Sequence, residues 1–172
     1  MSSTSLDFSP DTDNIIISGR VNGSLSLWDV TQLKVTKRLK LEGYSIDTVK
    51  YFNGDSRFII CFVKQNGTFY KIDTTSFTVV FGVSDKSVLK EMGSFVSVKL
   101  SQSNKYLALA ATKGEIVMFN METEKAENRM LIDPEIICLD WAGNWGLIVG
   151  DYAGAVHLFI WMYVYVCVFH FK

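Results

Sequence analysis

The residues best suited to chemistry are few in this sequence. They are His157 and His170, the cysteines Cys61, Cys138 and Cys167, and a scatter of aspartates that includes Asp11, Asp13, Asp47 and Asp55. Neither histidine has a second histidine, a cysteine or a carboxylate at metal-ligand spacing, and no C-x-x-C occurs, so no zinc site is expected. A hydrolytic triad would have to use one of the two histidines, and no G-x-S-x-G elbow exists to present a serine. No G-x-G-x-x-G and no P-loop is present, so nucleotide phosphate has no cradle. The cysteines lie far apart among apolar neighbours, which suits reduced, buried thiols. The aspartates fall in turn clusters, where a carboxylate accepts backbone N–H groups two residues on. The expectation is a non-enzyme with no catalytic residue, no cofactor and no metal.

Two further groups could bind instead of react. Lys34, Lys37, Arg38 and Lys40 form the largest charge cluster. Around them Leu33 to Leu41 roughly alternates, with Val35, Leu39 and Leu41 to one side, as an outer strand would. Lysines on such a strand discourage edge-to-edge pairing. The same charges would suit an acidic partner or a phosphoinositide, and both readings stay open. Asp140-Trp141 and Trp145 are the other group. Trp is enriched at binding hot spots, but packing between sheets in the core is the expectation here.

The elements that would carry these residues recur. Leu6 to Asp29 reads LDFSPDTDNIIISGRVNGSLSLWD: an alternating run, a turn cluster, a β-rich run, Asn-Gly, and a closing strand. Asn-Gly between apolar runs is a strong hairpin signal, because a type I′ turn needs positive φ at both central residues. The layout returns from Val49 to Asp73, from Val98 to Asn120 and from Leu139 to Ile160. The hairpin glycines are Gly23, Gly67, Gly114 and Gly154, spaced 44, 47 and 40 residues apart. Five residues after each stands a large apolar residue: Trp28, Ile72, Phe119 and Phe159. Asp29, Asp73 and Asn120 follow the first three, and Ile160 the fourth. Fourth strands are expected at Lys34 to Leu41, Thr78 to Val83 and Arg129 to Ile132. Four-stranded antiparallel units repeating every 40 to 47 residues indicate propeller blades.

These residues resemble the WD-repeat family. The first unit is the best match, with its Asp-rich turn, Ser18-Gly19, the glycine turn and the closing Trp28-Asp29. No Gly-His pair precedes any unit, so the family's Asp–His–Ser–Trp hydrogen-bond network is not expected. The degenerate blades are weakly similar to the N-terminal propellers of endolysosomal vesicle-tethering subunits. The resemblance implies an all-β, partial propeller of about four blades, near 5–43, 48–84, 97–134 and 138–159, the last one incomplete. It implies a scaffold whose partners are other proteins, with no small-molecule substrate. Such a subunit would be cytoplasmic, reaching endosomal membranes peripherally through its complex. An adaptor in a ubiquitin-ligase, chromatin or ribosome-assembly complex is the alternative. The net charge of −1 gives no general attraction for nucleic acid. Met1 to Ser5 lacks a basic stretch followed by an apolar one, so no secretory signal is expected.

Past Phe159 the pattern breaks. Ile160 to Phe171 reads IWMYVYVCVFHF, without a turn residue or a formal charge. Three readings of residues 160–172 stay open: a long apolar strand, a membrane anchor shorter than the roughly 20 residues of a spanning helix, or an alternative end that truncates the last blade.

Overall fold

The structure is a computed structural model. It describes residues 3–12, 15–41, 45–63, 68–83, 95–133, 135–162 and 165–171. Among these there is no helix, only strands and turns. Four antiparallel sheets are present, each with its strands in sequence order. Sheet 1 comprises β1 (Ser3–Phe8), β2 (Ile15–Arg20), β3 (Ser24–Asp29) and β4 (Lys34–Lys40). Sheet 2 comprises β5 (Thr48–Phe52), β6 (Asp55–Val63), β7 (Thr68–Asp73) and β8 (Thr78–Val83). Sheet 3 comprises β9 (Phe95–Leu100), β10 (Tyr106–Ala111), β11 (Glu115–Asn120) and β12 (Lys125–Leu131). Sheet 4 comprises β13 (Ile136–Ala142), β14 (Gly146–Asp151), β15 (Val156–Met162) and β16 (Tyr165–Phe171).

Two sequence expectations differ from this arrangement. The last sheet was expected to stop short, yet β16 pairs with β15 along its whole length, from Val156↔Phe171 to Met162↔Tyr165. The strand of the first reading is thus present at Tyr165–Phe171. Its Val, Tyr and Phe residues favour extended backbone, and it has no proline to break a ladder. The outer strand of sheet 3 begins at Lys125, not at Arg129. Its KAENR stretch is exposed and charged, so no hydrophobic alternation marks it.

The chain divides into two compact units, Met1–Lys86 and Ser87–Lys172. In the first, sheets 1 and 2 share a core of Ile17, Leu25, Leu27, Val49, Tyr51, Ile59, Cys61 and Ile72. Ile46 also belongs to it, and Gly19 makes room: a Cβ there would stand 2.5 Å from the Ile46 side chain. In the second unit, sheets 3 and 4 share a core of Ala108, Ala110, Ile116, Met118, Leu139, Leu147, Val149 and Phe159. Along each strand the alternate residues point to the opposite face, so covering one face of a sheet leaves the other to be covered separately.

The turns repeat as closely as the strands. Gly23, Gly114 and Gly154 have φ of 77°, 83° and 80°, the left-handed region that glycine enters without a Cβ penalty. Gly67 lies outside the described residues. At Gly114 space adds a second reason, since a Cβ would meet the Ile132 carbonyl oxygen at 1.9 Å.

Candidate functional site

The connection from third to fourth strand is built the same way in sheets 1, 2 and 3. Each starts on the acid or amide that closes the third strand. The Asp29 carboxylate accepts from the Gln32 N–H at 3.0 Å and the Thr31 hydroxyl at 2.6 Å. Asp73 accepts from the N–H groups of Thr75 (2.7 Å) and Ser76 (3.2 Å). Asn120 accepts from those of Glu122 (2.8 Å) and Thr123 (3.1 Å). Four residues on, Leu33, Phe77 and Glu124 take φ of 51°, 56° and 58°. A register shift falls before or at Trp28, Ile72 and Phe119 in the three ladders. The hydrogen bonds lower the pKa of both carboxylates, at Asp29 chiefly through Thr31 and at Asp73 chiefly through the Ser76 N–H. Asp73 is further held by Arg57 at 3.1 Å. Sheet 4 has Ile160 at this position and shows no such shift.

The Asp–His–Ser–Trp network was not expected, yet one bond of its kind is present, between Trp28 and Ser18. The Trp28 indole N–H donates to the Ser18 hydroxyl at 3.0 Å, which accounts for a buried serine in mid-sheet. Of the other closing residues, Ile72 and Phe159 sit in the two cores, and Phe119 is 5% exposed.

A charge pattern on the first strands escaped the sequence reading. Asp7, Lys50, Lys99 and Asp140 occupy matching positions in β1, β5, β9 and β13, opposite Ile17, Ile60, Ala108 and Ile148. Asp7 pairs with Lys50 at 2.9 Å and accepts from the Tyr51 N–H at 2.9 Å. Lys99 pairs with Asp140 at 2.8 Å, and the Trp141 indole donates to the Lys99 carbonyl at 3.0 Å. Tyr51 ends with its phenol pushed up to about 12, by burial and then by the Asp7 charge. The signal was available: the aligned first strands read L-D, V-K, V-K, L-D.

The basic strand splits. Lys34, Arg38 and Lys40 are exposed on β4. Lys37 instead turns toward sheet 2, where its ammonium donates to the carbonyls of Thr74 (2.9 Å) and Thr75 (2.5 Å). Of the expected patch, Lys34, Arg38 and Lys40 therefore face solvent, while Lys37 joins two sheets.

His157 and Asp151 form a pair that sequence reasoning missed. The imidazole Nε2 lies 2.6 Å from the carboxylate, and the two side chains are 3% and 1% exposed. Asp151 also accepts from the Ala155 N–H at 2.8 Å. These bonds, that to His157 first, hold its carboxyl below the ordinary carboxylate value. The two residues stand three to either side of Gly154, at opposite ends of one hairpin turn. A histidine hydrogen-bonded to a buried acid could serve as a base, but no substrate reaches side chains so enclosed.

Other expectations resolve individually. Asp11 accepts from the N–H and hydroxyl of Ser56, and Asp55 from the Arg57 N–H at 2.9 Å. Asp13 lies outside the described residues. Cys61 is buried, and burial pushes its thiol well up. Cys138 was expected buried and is exposed, because it sits on the uncovered face of β13. Trp141 packs on the second core, whereas Trp145, expected in a core, is 52% exposed at the tip of the β13–β14 turn. Among the described residues no cluster of His, Cys, Asp and Glu could hold a metal, and no helix is long and apolar enough to cross a membrane.

Sequentially ordered four-stranded sheets with this turn repeat define the class: an all-β chain with the fold of a partial β-propeller. Among solved structures, it is similar to the β-propeller domain of Myceliophteria thermophila Cps50 (Swd1), with a TM-score of 0.75 at 14% identity. The match covers 99% of this chain and 59% of the other, so the chain spans little more than half of that relative's length. No family model matches the sequence, and no curated protein does. At that identity the likeness carries the fold and not an activity.

Proposed function

We propose that this chain is a non-catalytic, WD-repeat-like scaffold whose blades present fixed loops to protein partners. The observation that carries the reading is the repeated third-to-fourth-strand turn. In three blades an acid or amide ties down two or three donors, so the loop is ordered before any partner arrives. Preordered loops reduce the entropy lost on binding. The exposed Lys34, Arg38 and Lys40 supply a basic strip suited to an acidic protein surface. The His157–Asp151 pair is sealed within a blade, which supports a structural role for it.

The weak resemblance to endolysosomal tethering subunits supports partners in membrane traffic as the finer reading, with membrane contact made through the complex. Affinity purification with mass spectrometry tests both levels. Enrichment of vesicle-tethering subunits, reduced by reversing Lys34, Arg38 and Lys40 to Glu, is the expected outcome. Recovery of ubiquitin-ligase, chromatin or ribosome-assembly partners alone would replace the trafficking assignment and leave the scaffold standing. Turnover of a substrate, lost on His157→Gln, would overturn the scaffold itself.

A further inference from the structure

The outer strands of sheets 1, 2 and 3 are built alike and edged differently. Each carries one extra residue where its ladder shifts: Thr36 in β4, Val80 in β8 and Glu127 in β12. A bulge kinks the strand and re-aims the side chain it adds. The Thr36 hydroxyl donates to the Leu27 carbonyl at 3.1 Å. Glu127 accepts from the Asn120 amide at 2.6 Å. Both side chains therefore turn back onto their own blade. Val80 has no polar atom with which to do so. It is 56% exposed, and Val79 beside it 41%.

Charge separates the three edges as well. β4 carries Lys34, Lys37, Arg38 and Lys40, and β12 carries Lys125, Glu127 and Arg129. Charges on an outer strand keep other strands from adding to it. β8 reads TVVFGV, with no charge and no proline. It is the outer strand of its sheet, hydrogen-bonded to β7. One row of its backbone N–H and C=O groups is therefore directed away from the sheet, open to a further strand.

We propose that β8 is a self-association edge, at which β8 of a second copy adds antiparallel about a two-fold axis. In such a pair one residue lies on the axis and meets itself. At Val80, the exposed residue of the bulge, the axis sets Val79 against Phe81 and Thr78 against Gly82. No charge meets a charge, and β-branched and aromatic residues face each other, which stabilises an antiparallel pair. The same axis through the bulge residue of β4 would set Lys34 against Arg38. Through that of β12 it would set Glu127 against Glu127 and Lys125 against Arg129. Like charges directly opposite destabilise a ladder. The charge pattern thus bars two edges from meeting themselves and leaves β8 free to do so. A charged segment of another protein would find no counter-charge on β8. One six-residue strand per copy covers less than the roughly 1,200 Å² of a stable interface, so the pair is weak and reversible.

Sedimentation velocity of the full chain from about 10 μM to about 1 mM tests this. The expected result is a monomer–dimer equilibrium that moves toward the dimer as concentration rises. Val80→Lys and Val80→Glu change an exposed residue, so each leaves the circular dichroism spectrum as it is. Each weakens association about tenfold or more. An equimolar mixture of the two variants restores it, since residue 80 meets its own copy across the axis. Amide exchange at residues 79–82 is slower in the concentrated sample than in the dilute one. A monomer throughout the range would overturn the proposal. So would a dimer indifferent to both variants, a mixture that fails to restore association, or open-ended polymers in place of a closed pair.

Discussion

Asn120 shows what one side chain does in this fold. It is 3% exposed, accepts from two backbone N–H groups, and donates to Glu127 at 2.6 Å. Asn120→Ala leaves two donors without that acceptor, a loss of about 1–2 kcal/mol by analogy with helix caps. The urea midpoint should fall, with the slope unchanged. Asp151 makes a different test. Its carboxyl is held below the ordinary value of 3.8, mainly by His157. The stabilisation from that pair is therefore complete above about pH 4 and is lost as the pH falls through the lowered pKa. Asp151→Asn should be less stable near neutrality, and its denaturation midpoint should drop less on acidification. The cysteines give a third. Iodoacetamide should label Cys138 in the native chain and reach Cys61 only after unfolding, since Cys61 is buried with its thiol raised. Labelling of both at equal rates would contradict the core placement of Cys61. The histidine–aspartate pair was hidden from the sequence because His157 was weighed only against metal spacings and a serine triad, not against the acid across its own hairpin. The hairpin glycine between the two residues already placed them at opposite ends of one turn.

Elements were legible wherever the sequence carried both periodicity and punctuation. Asn22-Gly23 between alternating runs marked a hairpin, and Gly114 and Gly154 marked two more without the asparagine. Elements that lacked one of these signals were misplaced. Lys125 to Asn128 has no apolar alternation, so half of β12 went unread. Ile160 to Phe169 is uncharged and without a turn residue, with only His170 breaking the run before Phe171, and period-two reasoning has no purchase on a strand without a regular polar side. The third-to-fourth-strand turn had a visible first residue, but its end, a left-handed residue four places on, is not a glycine. Leu33, Phe77 and Glu124 give no hint of positive φ. Substitution separates the backbone effect from packing. Leu33 is 83% exposed, so Leu33→Gly relieves the left-handed strain and removes little contact. Its stability should hold or rise, by up to about 1 kcal/mol. Phe77 is 7% exposed in the first core, and Phe77→Gly should cost about 3 kcal/mol because the lost burial outweighs the relieved strain. Thermal denaturation of the two variants side by side decides it, and equal losses would mean that the turn is not strained.

For the whole molecule the repeat was legible and its completion was not. A period of 40 to 47 residues fixes blades and their number, four, but a repeat says nothing about what covers the first and last of them.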